Sequence, residues 1–156
     1  MGNYQDVDET QWRSMFAGLV DPTMRFTKAV LPQMIERRGG KIIAVTSAAP
    51  LRGTPRASAY SAARGAQNAY VRAAGAEVAE HNVQINAVAQ NFVYGGYPSD
   101  AMDRPRIREM VLRDVPARRL AEGWEQAELV LFLASQNSNF ISGQIVPFAG
   151  GWVTST

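Results

Sequence analysis

The chain has 156 residues, of which 46% are hydrophobic and 19% charged, and its formal net charge is +2. This reads as one soluble globular domain with a real core and excludes a disordered chain. With no cysteine and one histidine, it offers no disulfide, no thiol nucleophile and no Cys- or His-cluster metal site.

The apolar run at 129–134 is far too short to span a bilayer. The acidic, polar start "MGNYQDVDETQW" is not a secretory signal. A cytoplasmic protein fits both. Basic residues fall in small groups, at Arg37–Arg38, 104–108 and Arg118–Arg119, without the dense stripe and interleaved aromatics of a nucleic-acid binder. Neither a membrane nor a nucleic acid is expected as partner. No repeat or linker divides the chain, so residues 1–156 read as a single α/β domain.

Taken in chain order, Asp8 is a helix N-cap, with Gln11 three residues on as in a capping box. A long helix follows to Arg38 and stops at Gly39–Gly40. Pro22 and Pro32 should bend or interrupt it. "KIIAVTS" (41–47) is a buried strand, short, β-branched and bounded by breakers. Residues 57–80 form a second helix, rich in Ala, Ser and Gly, whose small surface permits close helix approach. "VQINAVAQN" (83–91) is a second strand, 104–115 a short amphipathic helix, 124–136 a further long helix, and "QIVPFAGG" (144–151) a last strand. Near-continuous apolar strands alternating with helices imply a parallel sheet covered on both faces. With right-handed crossovers this is a Rossmann-like, doubly wound α/β layer of about three parallel strands. One sheet edge should lack a partner.

Three polar residues stand out in "TSAAPLRGTPRASAYSAARGAQ". Ser47 closes the first strand, at the end where open parallel sheets bind ligands. Tyr60 and Arg64 share a helix face. A phenol is a poor base at neutral pH, but a fixed neighbouring cation favours the phenolate, and Arg64 stays protonated at any working pH. Ser47 can donate a hydrogen bond to a substrate oxygen. The set reads as a base (Tyr60), its activator (Arg64) and an oxygen holder (Ser47). Taken alone, the same residues also serve as surface packing and a turn.

The pieces "KAVLPQM", "GKIIAVTSAA", "AYSAARGA", "VQINAVAQN" and "RRLAEGWEQAELVLFLASQNSNFISGQIVPFAGGW" resemble, in order and spacing, the C-terminal portion of the short-chain dehydrogenase/reductase superfamily. That resemblance implies catalytic roles for Ser47 and Tyr60, and a lysine where Arg64 stands, which in the superfamily also contacts the nicotinamide ribose. Two more positions depart from the pattern. Gln90–Asn91 replaces a usual Pro-Gly, and Leu19 replaces an asparagine of the proton relay. Ser47, Tyr60 and Arg64 together resemble the triad of halohydrin dehalogenases, a branch that uses no cofactor.

The dehalogenase resemblance implies conversion of vicinal haloalcohols to epoxides plus halide, and ring opening by small anions in reverse. It implies a halide pocket from the loop Gln90, Asn91, Phe92 and Val93, with Tyr97 as a further wall, though Phe92 and Tyr97 equally suit ordinary loop packing. Neither cofactor nor metal is expected. A homo-oligomer, dimer or tetramer, is implied, with helix 57–80 and the helix following the second strand in its interface. Trp152 is expected near a neighbouring subunit's site, or as a plain anchor. His81 reads as a helix-end cation, at the wrong end of its strand for catalysis. No G-x-G-x-x-G occurs, so the first strands and helices of the superfamily fold are expected to be missing. The alternatives are a truncated NAD(P)-dependent short-chain reductase, or an inactive fragment.

Overall fold

The computed structural model describes residues 3–154. Helix α1 (Glu9–Met15) starts where Asp8 Oδ1 accepts the Gln11 N–H at 2.7 Å. The return bond from the Gln11 side chain is not formed among the described residues, so only half of the expected capping box exists. Pro22 has no N–H and its ring crowds the carbonyl four residues back. The helix accommodates this with a π-turn at Phe16–Val20, where the Asp21 N–H reaches the Phe16 carbonyl. It then continues as α2 (Asp21–Glu36), which carries Pro32 without a break.

Three strands follow: β1 (Gly40–Ser47), β2 (Val83–Gln90) and β3 (Ile145–Phe148). They pair in parallel in the order β1-β2-β3. Ser47 stands opposite Gln90, and Gln90 opposite Phe148, so the three carboxyl ends finish level. The central strand β2 is buried from Val83 to Ala89, as a strand covered on both faces must be. Its run of small and β-branched side chains suits that place.

Helix α4 (Ser58–Val78) packs its Val71, Ala74 and Val78 on Ile85, Ala87 and Ala89, with Leu31 and Ile35 of α2 beside them. Full burial of a side chain the size of Ile85 contributes roughly 1.5–3 kcal/mol. On the other face Lys41 Nζ donates to Gln84 Oε1 (2.9 Å) and to Ser138 Oγ (3.1 Å), just past α6 (Gly123–Ala134). The sheet is therefore wound on both faces, as expected. The small surface of α4 is used within the chain. A Cβ at Gly75 would lie 2.6 Å from the Gly143 nitrogen and 2.8 Å from the Ile85 carbonyl oxygen.

Two more helices complete the frame. A short α3 (Ala49–Arg52) turns the chain directly after β1, and α5 (Pro105–Asp114) closes the far side of the strand ends. Helix α6 opens on a full capping box between Glu122 and Glu125. No helix among the described residues is long and apolar enough to cross a membrane.

Candidate active site

A cavity of about 450 Å³ opens at the carboxyl ends of β1 and β2. Ser47, Tyr60, Gln90, Asn91, Phe92 and Tyr97 all line it. Sheet register brings the first of these together, because Ser47 and Gln90 are paired across β1 and β2.

Ser47 is 4% exposed. Its Oγ accepts the Ala49 N–H at 3.1 Å. That bond uses a lone pair and leaves the hydroxyl proton to donate into the cavity. Helix α3 therefore orients the serine, an element too short for its sequence to reveal.

Tyr60 sits in the first turn of α4, and Arg64 stands one turn on, behind it. Arg64 Nε donates to the Tyr60 hydroxyl oxygen at 3.2 Å, and the guanidinium carbon lies 5.3 Å from the phenol ring centroid. Arg64 Nη1 donates to Gln67 Oε1 (2.9 Å) and, longer, to the Val45 carbonyl (3.4 Å). The cation is thus anchored on two sides while it faces the phenol oxygen.

The loop after β2 is shaped by its own side chains. Asn91 Oδ1 accepts the Phe92 N–H at 2.9 Å, and Phe92 takes a positive φ of 57°, a costly conformation for a bulky residue. The Phe92 ring is 7% exposed. It stacks on Tyr97 (6.2 Å between centroids) and meets Trp152 edge-on (5.6 Å). Burial pushes the Tyr97 phenol above its ordinary value, so its hydroxyl remains a donor at neutral pH. Phe92 and Tyr97 pack against each other and both line the cavity.

Val93 is placed differently from the other four. It forms a parallel bridge with Ala121, is buried, and is not part of the cavity wall. Trp152 lines the cavity of its own chain. Arg52 lies over its ring at 5.0 Å. His81 sits in a turn before β2, at the opposite end of the sheet. Met110 and Asp114 of α5 also reach the cavity. Sequence reasoning passed them over, since nothing local ties α5 to the strand ends.

Among the described residues no three His, Asp or Glu side chains converge as a metal site.

A parallel sheet wound on both faces, with Ser, Tyr and a cation grouped at its carboxyl ends, defines the Rossmann-like short-chain dehydrogenase/reductase class. The chain belongs to that family through the model described as enoyl-(acyl carrier protein) reductase, which matches residues 1–153. It is 33% identical over 153 residues to the uncharacterized oxidoreductase YmfI of Bacillus subtilis (strain 168), covering 97% of this chain and 62% of the relative. Among solved structures it is similar to a "Dehalogenation enzyme" at 30% identity and a TM-score of 0.93, covering 97% of this chain and 63% of that one. It is also similar to a halohydrin dehalogenase bound to ethyl (2S)-oxiran-2-ylacetate, at 31% identity and a TM-score of 0.91, covering 98% and 64%. The chain thus spans less than two thirds of the length of each of these three proteins.

Proposed function

We propose that this chain carries the acid–base side of a halohydrin dehalogenase site, a carbon–halogen lyase that needs no cofactor. The observation that carries the reading is the Arg64 Nε–H on the Tyr60 hydroxyl oxygen at 3.2 Å. A permanent cation there, in place of a lysine, donates to the phenol oxygen and is itself engaged by protein acceptors. The likeness to two dehalogenase structures supports it.

In this reading the Tyr60 phenolate takes the proton from the hydroxyl of a vicinal haloalcohol. The Ser47 hydroxyl donates to the same oxygen. The alkoxide oxygen forms a bond to the neighbouring carbon, the carbon–halogen bond breaks, and halide departs with the electron pair. The products are an epoxide, a halide ion and protonated Tyr60. Gln90 and Asn91 supply amide donors at the loop, and the Phe92 and Tyr97 ring edges are partly positive. Donors fixed where charge develops lower the barrier, as in an oxyanion hole. In reverse, a small anion opens the epoxide and Tyr60 returns the proton. A homo-oligomer in the cytoplasm belongs to the same reading, and exposed Trp124, Leu131 and Phe140 are the apolar groups a second copy would cover.

The test is halide release from a small chloro- or bromo-alcohol without nucleotide. Turnover above background, reduced at least about a hundredfold in Tyr60→Phe, supports the reading. No release from folded protein overturns it. A second reading, an NAD(P)-dependent reductase, is favoured by the oxidoreductase relative. Cofactor-dependent carbonyl reduction in place of halide release would establish that one.

A further inference from the structure

We infer that Gln67 is a positioning residue that ties the Arg64 guanidinium to the π-turn of the first helix and so holds it against the Tyr60 hydroxyl. The catalytic consequence rests on the dehalogenase reading; the tether itself does not.

Gln67 lies on α4 one turn past Arg64 and is 5% exposed. Its Oε1 accepts from Arg64 Nη1 at 2.9 Å. Its Nε2 donates to the Leu19 carbonyl at 2.8 Å and to Thr23 Oγ1 at 2.7 Å. The Thr23 hydroxyl in turn donates to the Leu19 carbonyl at 3.0 Å. The orientation of the amide is dictated by its partners. A guanidinium only donates and a carbonyl only accepts, so one arrangement of oxygen and nitrogen satisfies both.

The anchor is rigid for a reason visible in the chain. Pro22 forces the π-turn at Phe16–Val20, and such turns mark irregular, often functional, points of a helix. The Leu19 carbonyl in that turn takes two side-chain donors. The chain of bonds then runs from Leu19 through Gln67 and Arg64 to the phenol oxygen. A free arginine samples many rotamers. With Nη1 fixed on Gln67, Nε is left at the distance Tyr60 needs.

Two readouts separate this role from general stability. The first is the 15N–1H signal of Arg64 Nε, assigned by its loss in Arg64→Lys, with its heteronuclear NOE as a measure of order. The second is kcat and KM for halide release. Gln67→Met keeps the length and removes both hydrogen-bonding ends. In that variant the NOE should fall to the level of the exposed arginines. kcat should drop about tenfold with KM unchanged. Gln67→Glu keeps an acceptor for the guanidinium but loses the donor to the Leu19 carbonyl, so it should retain only part of the ordered signal. Thr23→Val, a milder change should Gln67→Met not fold, should loosen Arg64 in part. An ordered Arg64 signal in folded Gln67→Met overturns the tether. A loosened Arg64 with wild-type kcat overturns the catalytic role. Wild-type protein that releases no halide overturns the dehalogenase reading alone, and the Arg64 signal still decides the tether.

Discussion

The Ser47 hydroxyl oxygen accepts the backbone N–H of Ala49 at 3.1 Å. One atom thus closes the turn into α3 and aims a proton at the cavity. Ser47→Ala should therefore lose twice. The Ala49 N–H, in a residue 6% exposed, is left without its acceptor, which costs about 1–3 kcal/mol. The substrate oxygen loses a donor, which should lower kcat for halide release about a hundredfold. A thermal melt and a halide assay read the two separately. A wild-type kcat in the variant would remove Ser47 from the mechanism.

At Gly75, α4 lies close against the sheet and the Gly143 loop. An added methyl would press on backbone of two segments, at 2.6 Å from the Gly143 nitrogen and 2.8 Å from the Ile85 oxygen. Alanine's helix preference over glycine, about 1 kcal/mol, offsets part of the strain. Overpacking of this kind costs about 1–3 kcal/mol or more, and contacts with backbone allow little relief. Gly75→Ala should lower Tm by a few degrees. An unchanged or raised Tm would show that the Gly143 loop moves away freely.

The Glu125 carboxylate receives Arg119 Nη1 at 2.6 Å and the Glu122 N–H at 2.8 Å. The Arg119 hydrogen bonds first, then the Glu122 N–H, hold its carboxyl down at about 2. An unfolded glutamate titrates near 4.3, roughly. Between those values the unfolded chain binds a proton that the folded chain does not, so stability rises with pH there. The contribution is complete above the unfolded value and is lost as pH falls through about 2. Glu125→Gln should flatten the acid limb of a stability–pH curve measured by urea unfolding. An identical slope in the two proteins would show that the pair does not hold in solution.

How much of this was legible beforehand depends on how local each signal is. The strands are β-branched runs between breakers, and their bounds came within a few residues of Gly40–Ser47, Val83–Gln90 and Ile145–Phe148. The Tyr60–Arg64 pair follows from helical spacing alone, and its hydrogen bond is present. The π-turn was foreseen only as some disturbance at Pro22, because a proline says that the ladder fails and not how it is repaired. Helix α3 is four residues long, too few to show a period.

Other features depend on partners far along the chain. Gln67 meets Leu19 across 48 positions, and no local pattern marks a glutamine for that. By sequence Val93 continues the loop of Gln90, Asn91 and Phe92. Its turn toward Ala121 depends on where the chain returns after α5. The same holds for Trp152, whose place against Phe92 needs the carboxyl ends of β2 and β3 to be level.

The Val45 carbonyl that receives Arg64 lies on the side of β1 away from β2, where Val45 is 44% exposed. The side chain that faces the phenol oxygen thus also takes an acceptor on the free margin of the sheet, so the edge of β1 and the candidate site share one guanidinium.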